Sequence, residues 1–108
     1  SKSSTQQQVN ISIYLDNSYS MQAKGENGEL LKSAAQKIIE NNNLQNSTFT
    51  LITNEENLKN LDANGLKNAL ISLQYSPNKL DLNTVLLKAK SNYSGKIKSV
   101  YQLIFQFR

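Results

Sequence analysis

The sequence predicts a layered α/β domain with a mostly parallel sheet. Two observations carry that expectation. Short apolar, strand-like runs alternate with segments of helical periodicity, and the first of those runs stops abruptly in a cluster of turn-forming residues. In sheets of this kind ligands collect at the carboxyl ends of the strands, so the loops there are the first place to look for function.

Taken in order, residues 1–8 (SKSSTQQQ) are polar and without period, and read as a flexible linker ahead of a domain covering 9–108. Residues 9–15 (VNISIYL) set Val9, Ile11, Ile13 and Leu15 on one side, while Tyr14 makes the other side apolar near the end. That pattern suits a central strand covered on both faces. Asp16-Asn17-Ser18-Tyr19-Ser20 ends the strand, and a loop with two glycines follows. A helix is expected from residue 26 or 29 to residue 40, with Leu30, Leu31, Ala34, Ala35, Ile38 and Ile39 as its apolar stripe. Residues 48–53 (TFTLIT) read as a second strand, and residues 54–61 as holding a short edge strand. Asp62 stands as an N-cap with Leu61 and Leu66 placed as a hydrophobic staple, opening a helix whose face carries Leu66, Ala69, Leu70 and Leu73. Ser76-Pro77-Asn78 breaks the chain. Asp81 or Asn83 is positioned to cap a third helix through Val85, Leu86 and Ala89. After a turn at 92–95, residues 99–107 (SVYQLIFQF) form a last strand.

Composition narrows the chemistry. With 108 residues, 38% hydrophobic and 19% charged, the chain is one domain of ordinary globular composition. Cysteine and histidine are both absent, which removes disulfides, thiolate and histidine metal sites, and Ser-His-Asp or Cys-His catalysis. Any metal would be a hard cation held by oxygen ligands. The net charge of +4 owes much to Lys88, Lys90, Lys96, Lys98 and Arg108. No aromatic or glycine-rich motif is interleaved with them, so a solvated surface is expected rather than a nucleic-acid interface. No apolar run is long enough to span a membrane.

One motif has specific chemistry. Asp16-x-Ser18-x-Ser20, directly after a buried first strand and before a helix, resembles the metal-ion-dependent adhesion site of von Willebrand factor A (vWA) domains. The wider stretch YLDNSYSMQAKGENGELLKSA is similar to the vWA portion of membrane-anchored, Bat-type (aerotolerance) proteins of Bacteroidetes, and the likeness covers roughly residues 9–89. It implies a three-layer, Rossmann-like fold with helices on both faces of the sheet. It also implies a protein-binding module, not an enzyme, whose Mg2+ or Mn2+ accepts a carboxylate from a protein partner. Ser18 and Ser20 would ligate directly and Asp16 would act through water or hydrogen bonds. Thr84, in LDLNTVLLKAK with Ala89 five residues on, matches the family's threonine ligand. The likeness further implies a membrane anchor ahead of residues 1–8 and a periplasmic location. On the residues alone, Asp16, Ser18 and Ser20 read first as capping a turn and the next helix, an order that the resemblance reverses, and Thr84 could be an ordinary first-turn residue.

Two departures stand against the family pattern. Gln106 occupies the position of the family's third-loop aspartate, and its amide offers a carbonyl oxygen without charge. A site with Asp16 as its one formal anion is expected to bind a divalent cation weakly, or to be vestigial within a structural scaffold. A complete vWA sheet has six strands, whereas about four are expected here, so the domain reads as the front part of that fold. The last strand's outer edge would then be open to pairing with a second copy. A phosphatase reading fails because Ser18 stands where a second carboxylate is required, and Gly25 to Gly28 lacks the spacing of a phosphate-cradling loop.

Overall fold

The structure, a computed structural model, describes residues 9–41, 47–91 and 101–106, the side chains of 9, 41 and 101–106 excepted. The chain runs through β1 (Val9–Leu15), a 3-10 turn (Tyr19–Gln22), β2 (Lys24–Gly25), β3 (Gly28–Glu29) and α1 (Leu30–Asn41). It continues with β4 (Ser47–Ile52), β5 (Asn57–Leu61), α2 (Ala63–Ile71), α3 (Leu82–Ser91) and β6 (Tyr101–Gln106). This is a mixed α/β fold. The expected linker at 1–8, the turn at 92–95, Lys96, Lys98 and Arg108 lie outside the described residues.

Four strands form the main sheet in the order β5-β4-β1-β6. β1 is central and parallel to both neighbours, with Tyr14 opposite Ile52 on β4 and Phe105 on β6. β5 runs antiparallel to β4, so the sheet is mixed. The antiparallel direction follows because residues 53–56 alone join the two strands, and a parallel crossover takes about a dozen residues or more. β5 also carries an extra residue, since Phe49 and Leu51 face Leu61 and Leu58. Asn60 absorbs it at φ 58°, a left-handed conformation that asparagine tolerates better than most residues.

Alternation along β1 and β4 divides the core in two. Ile11, Ile13, Leu15, Phe49 and Leu51 pack with Leu31, Ala34, Ala35 and Ile38 of α1 and with Leu66 and Leu70 of α2. The opposite face sets Tyr14 and Ile52 against Val85 and Ala89 of α3, with Leu80 at the margin. Burying an aliphatic side chain of this size stabilises the fold by about 1.5–3 kcal/mol, so among the described residues the larger cluster contributes more than the smaller one.

Helix ends follow local chemistry. Asp62 Oδ1 accepts from the Gly65 amide at 2.7 Å, the expected N-cap of α2. Asp81, rather than Asn83, caps α3: its Oδ1 accepts from the Thr84 amide at 2.8 Å, and Asn83 lies inside the helix. The two-glycine loop turns out to be a small hairpin of β2 and β3, closed by Gly28 at φ 98°, a conformation open chiefly to glycine. That hairpin delays the start of α1 to Leu30. Leu86, expected in the buried stripe of α3, is 37% exposed beside the more exposed Leu82 and Leu87.

Truncating Ile13, which is wholly buried between α1 and the sheet, to alanine should cost about 3 kcal/mol in urea denaturation. Asp62→Ala should cost about 1 kcal/mol, the ordinary value of a lost N-cap.

Candidate functional site

β1 delivers its last residues to the carboxyl edge of the sheet, and there the apolar alternation ends in a buried carboxylate. Asp16 is only 1% exposed. A charge so placed has to be met by hydrogen bonds or a counter-ion. Its Oδ1 accepts from the Ser18 amide at 2.9 Å, folding the loop into an Asx-type turn, and from Asn54 Nδ2 at 2.8 Å. Its Oδ2 lies 3.3 Å from the Lys79 ammonium.

Asn54 reaches the site from the end of β4, the neighbouring parallel strand. Its Oδ1 accepts from the Tyr14 hydroxyl at 2.6 Å and from the Leu80 amide at 2.9 Å. Asn17 adds a second stitch. Its Oδ1 accepts from the Asn54 amide at 3.0 Å, and its Nδ2 donates to the Gln74 carbonyl at 2.9 Å. The Ser76 amide donates to the Asn17 carbonyl at 2.8 Å, and Ser18 and Ser76 form a parallel bridge. Three segments distant in sequence, the β1 loop, the end of β4 and residues 74–80, are thereby joined around one carboxylate.

The Glu55 carboxylate fixes the outer part of the third segment. It accepts from the Ser76 hydroxyl and from Asn78 Nδ2, while the Asn78 amide donates to Ser76 Oγ. A groove of about 420 Å³ opens beside Asn17, lined by Glu55, Glu56, Leu58, Leu73 and Tyr75.

These contacts set the electrostatics. Burial pushes the Asp16 carboxyl upward, but hydrogen bonds from Ser18 and Asn54 together with Lys79 outweigh it and hold the group below its ordinary 3.8. Asp16 is therefore an anion at neutral pH. Burial, reinforced by the Asp16 charge, pushes the Tyr14 hydroxyl up to about 12, so it stays a neutral donor to Asn54. Glu55 is held below its usual range by Ser76 and Asn78, and Asp81 by Thr84.

The structure brings together Asp16, Ser18 and Ser20. The Ser18 and Ser20 hydroxyls are 2.9 Å apart, Ser18 buried and Ser20 exposed. Thr84 sits half-buried in the first turn of α3, its amide held by Asp81, and among the described residues no hydrogen bond links it to the other three. The Gln106 backbone pairs with Leu15, which puts it at the same sheet edge, while its side chain lies outside the described residues. Asn17, Asn54 and Lys79 were not anticipated. The position of Asn54 at the carboxyl end of a parallel strand was the available signal for it; Lys79 had none beyond its nearness to a chain break.

As a donor set, one carboxylate and two hydroxyls on a turning backbone suit a hard cation in kind. They are poor in charge, and among the described residues no group of three or more acidic, histidine or cysteine side chains is placed to hold a metal. Ser18, Ser20 and Asp16 are the residues that would hold such an ion. Compared with family models, curated proteins and solved structures, the chain matches none.

Asn54→Ala should cost about 3 kcal/mol, because Tyr14, Asp16 and Leu80 all lose a buried partner. With its carboxyl held low, Asp16 contributes stability that is complete above the unfolded value and disappears as pH falls through the folded one. Urea midpoints of the wild type should therefore fall further than those of Asp16→Asn between about pH 5 and pH 3.

Proposed function

We propose that the chain is a vWA-like protein-binding module, with the Asp16-Ser18-Ser20 loop as a cation-dependent site for a partner's carboxylate. The observation that carries this reading is an ionised, buried Asp16 at the carboxyl end of the central parallel strand, with two serine hydroxyls beside it. A bound Mg2+ or Mn2+ would supply an electrophilic position for an incoming carboxylate. The protein's own part is to orient the hydroxyls through the Asx turn and to anchor Asp16 through Asn54. Because both hydroxyls are neutral, they leave the ion's positive charge largely intact for the partner.

Tyr19, between the two serines, is 55% exposed and stacks obliquely with Tyr75, their ring centres 6.5 Å apart. Tyrosine is among the residues that most often dominate protein interfaces, and Tyr19 presents such a ring beside the loop. On this reading α1 and α2 form one outer layer and α3 the other, the vWA-type three-layer arrangement. No helix among the described residues is long and apolar enough to cross a membrane. A periplasmic, membrane-anchored setting rests on the sequence resemblance alone.

A second reading has its own observation. Both carboxylate oxygens of Asp16 already have partners within the protein, as expected if the loop serves a structural scaffold and binds no metal. Paramagnetic broadening of amide NMR signals by Mn2+ separates the two. The adhesion-type reading expects broadening centred on residues 16–20, weak in affinity at roughly 0.1–1 mM, and lost in Asp16→Ala and Ser18→Ala. Titrating acetate should then displace water from the bound Mn2+ in the wild type only. The scaffold reading expects no localised broadening at those concentrations.

A further inference from the structure

We infer that Lys79 is a tethered counter-cation that neutralises Asp16 and competes with a divalent metal for the loop; this rests on the reading of the loop as a metal site. Three observations support it. The ammonium lies 3.3 Å from Asp16 Oδ2, whereas the Ser18 amide and the Asn54 side chain both bond to Oδ1. It thus meets the carboxylate oxygen through which a metal would gain the site's one formal charge, directly or across a water.

The chain holds the lysine there on purpose-built supports. On one side, the Asn78 amide and side chain are bonded to Ser76 and Glu55. On the other, the Leu80 amide is bonded to Asn54 Oδ1, and Asn54 is itself a ligand of Asp16. The backbone of Lys79 is pinned between two residues of the same network that positions the carboxylate, so its reach to Oδ2 is built into the fold.

The side chain itself is free to leave. Lys79 is 57% exposed against 2% for Asp16, and its stem carries several rotatable bonds. An ion pair with one exposed member is weak and screened by salt. The lysine can therefore swing into solvent without disturbing Asn78 or Leu80, opening Oδ2 to a divalent ion. While it remains, it lowers the site's charge to zero and repels an incoming cation.

The test is Mn2+ titration of the full chain, following the same amide signals, in wild type, Lys79→Met and Lys79→Arg. Lys79→Met should bind Mn2+ more tightly by on the order of tenfold, the effect of removing one like charge at about 5 Å in a watery environment. Lys79→Arg should retain the wild-type value, and Asp16→Asn added to Lys79→Met should abolish the gain. Urea denaturation of Lys79→Met checks that the fold is intact, as expected for an exposed side chain. Equal affinity in wild type and Lys79→Met overturns the inference and leaves the metal-site reading standing. Weaker binding in Lys79→Met overturns it as well, by making the lysine a support. Absence of localised broadening in every variant removes both the inference and the reading beneath it.

Discussion

The buried charge of Asp16 is the constraint around which the rest of this structure is arranged. Removing a carboxylate from water costs several kcal/mol unless it is hydrogen-bonded or paired. The fold meets that demand with one partner from each of three places: the Ser18 amide next along the chain, Asn54 from the neighbouring strand, and Lys79 from the segment before α3. Only the first of the three comes from the β1 loop itself. The carboxylate therefore acts as a tie among the sheet edge, the β4–β5 connection and residues 74–80. Asn54 is the hub of that tie, since its amide oxygen serves Tyr14 and Leu80 while its amide nitrogen serves Asp16.

The sheet explains why the tie is formed at this place. Parallel pairing of β1 with β4 brings their carboxyl ends side by side, so Asp16 and Asn54 leave the sheet at the same edge. A tight turn then sends β5 back antiparallel, aided by Thr53, whose hydroxyl accepts from the Glu55 and Glu56 amides. This turn directs Glu55 toward Ser76 and Asn78. The same local device, a short polar side chain bonding amides just ahead of it, recurs at Asp16, Thr53, Asp62 and Asp81. Each begins a change of direction, and together they set the path of the chain around the core.

Elements dominated by local signals were legible in the sequence. The alternation of residues 9–15, the paired stripe of α1, the cap at Asp62 and a short edge strand somewhere within residues 54–61 all depend on neighbours within a few positions. What was not legible depended on contacts across the fold. The segment Ser76-Pro77-Asn78-Lys79 reads as a chain break, and nothing local says that its lysine will meet a carboxylate more than sixty positions earlier. Thr84 shows how one local signal admits two readings. Its position at a helix start fits a ligand pattern, yet the described bond at that site is its amide donating to Asp81, the ordinary chemistry of a first helical turn. The mixed α/β character was legible in the alternation of strand and helix patterns, whereas the direction of β5, antiparallel to β4, was left unspecified by them.

The ionic character of the loop follows from how the nearby acidic groups are committed. Glu55 is turned toward Ser76 and Asn78, Asp81 toward the start of α3, and Glu29 toward the Tyr75 hydroxyl at 2.6 Å. Each of these carboxylates is occupied in holding backbone, amide or hydroxyl groups, while Asp16 is the one bonded within the serine loop, to the Ser18 amide. A single carboxylate facing a single ammonium sums to no net charge, whereas a divalent cation is held best where several anionic oxygens converge. On the proposed reading, a cation at the loop would be selected less by the oxygen donors, which suit any hard cation, than by whether Lys79 remains in place. Specificity at a site of that kind would come from the competitor the protein itself provides as much as from the ligands it offers.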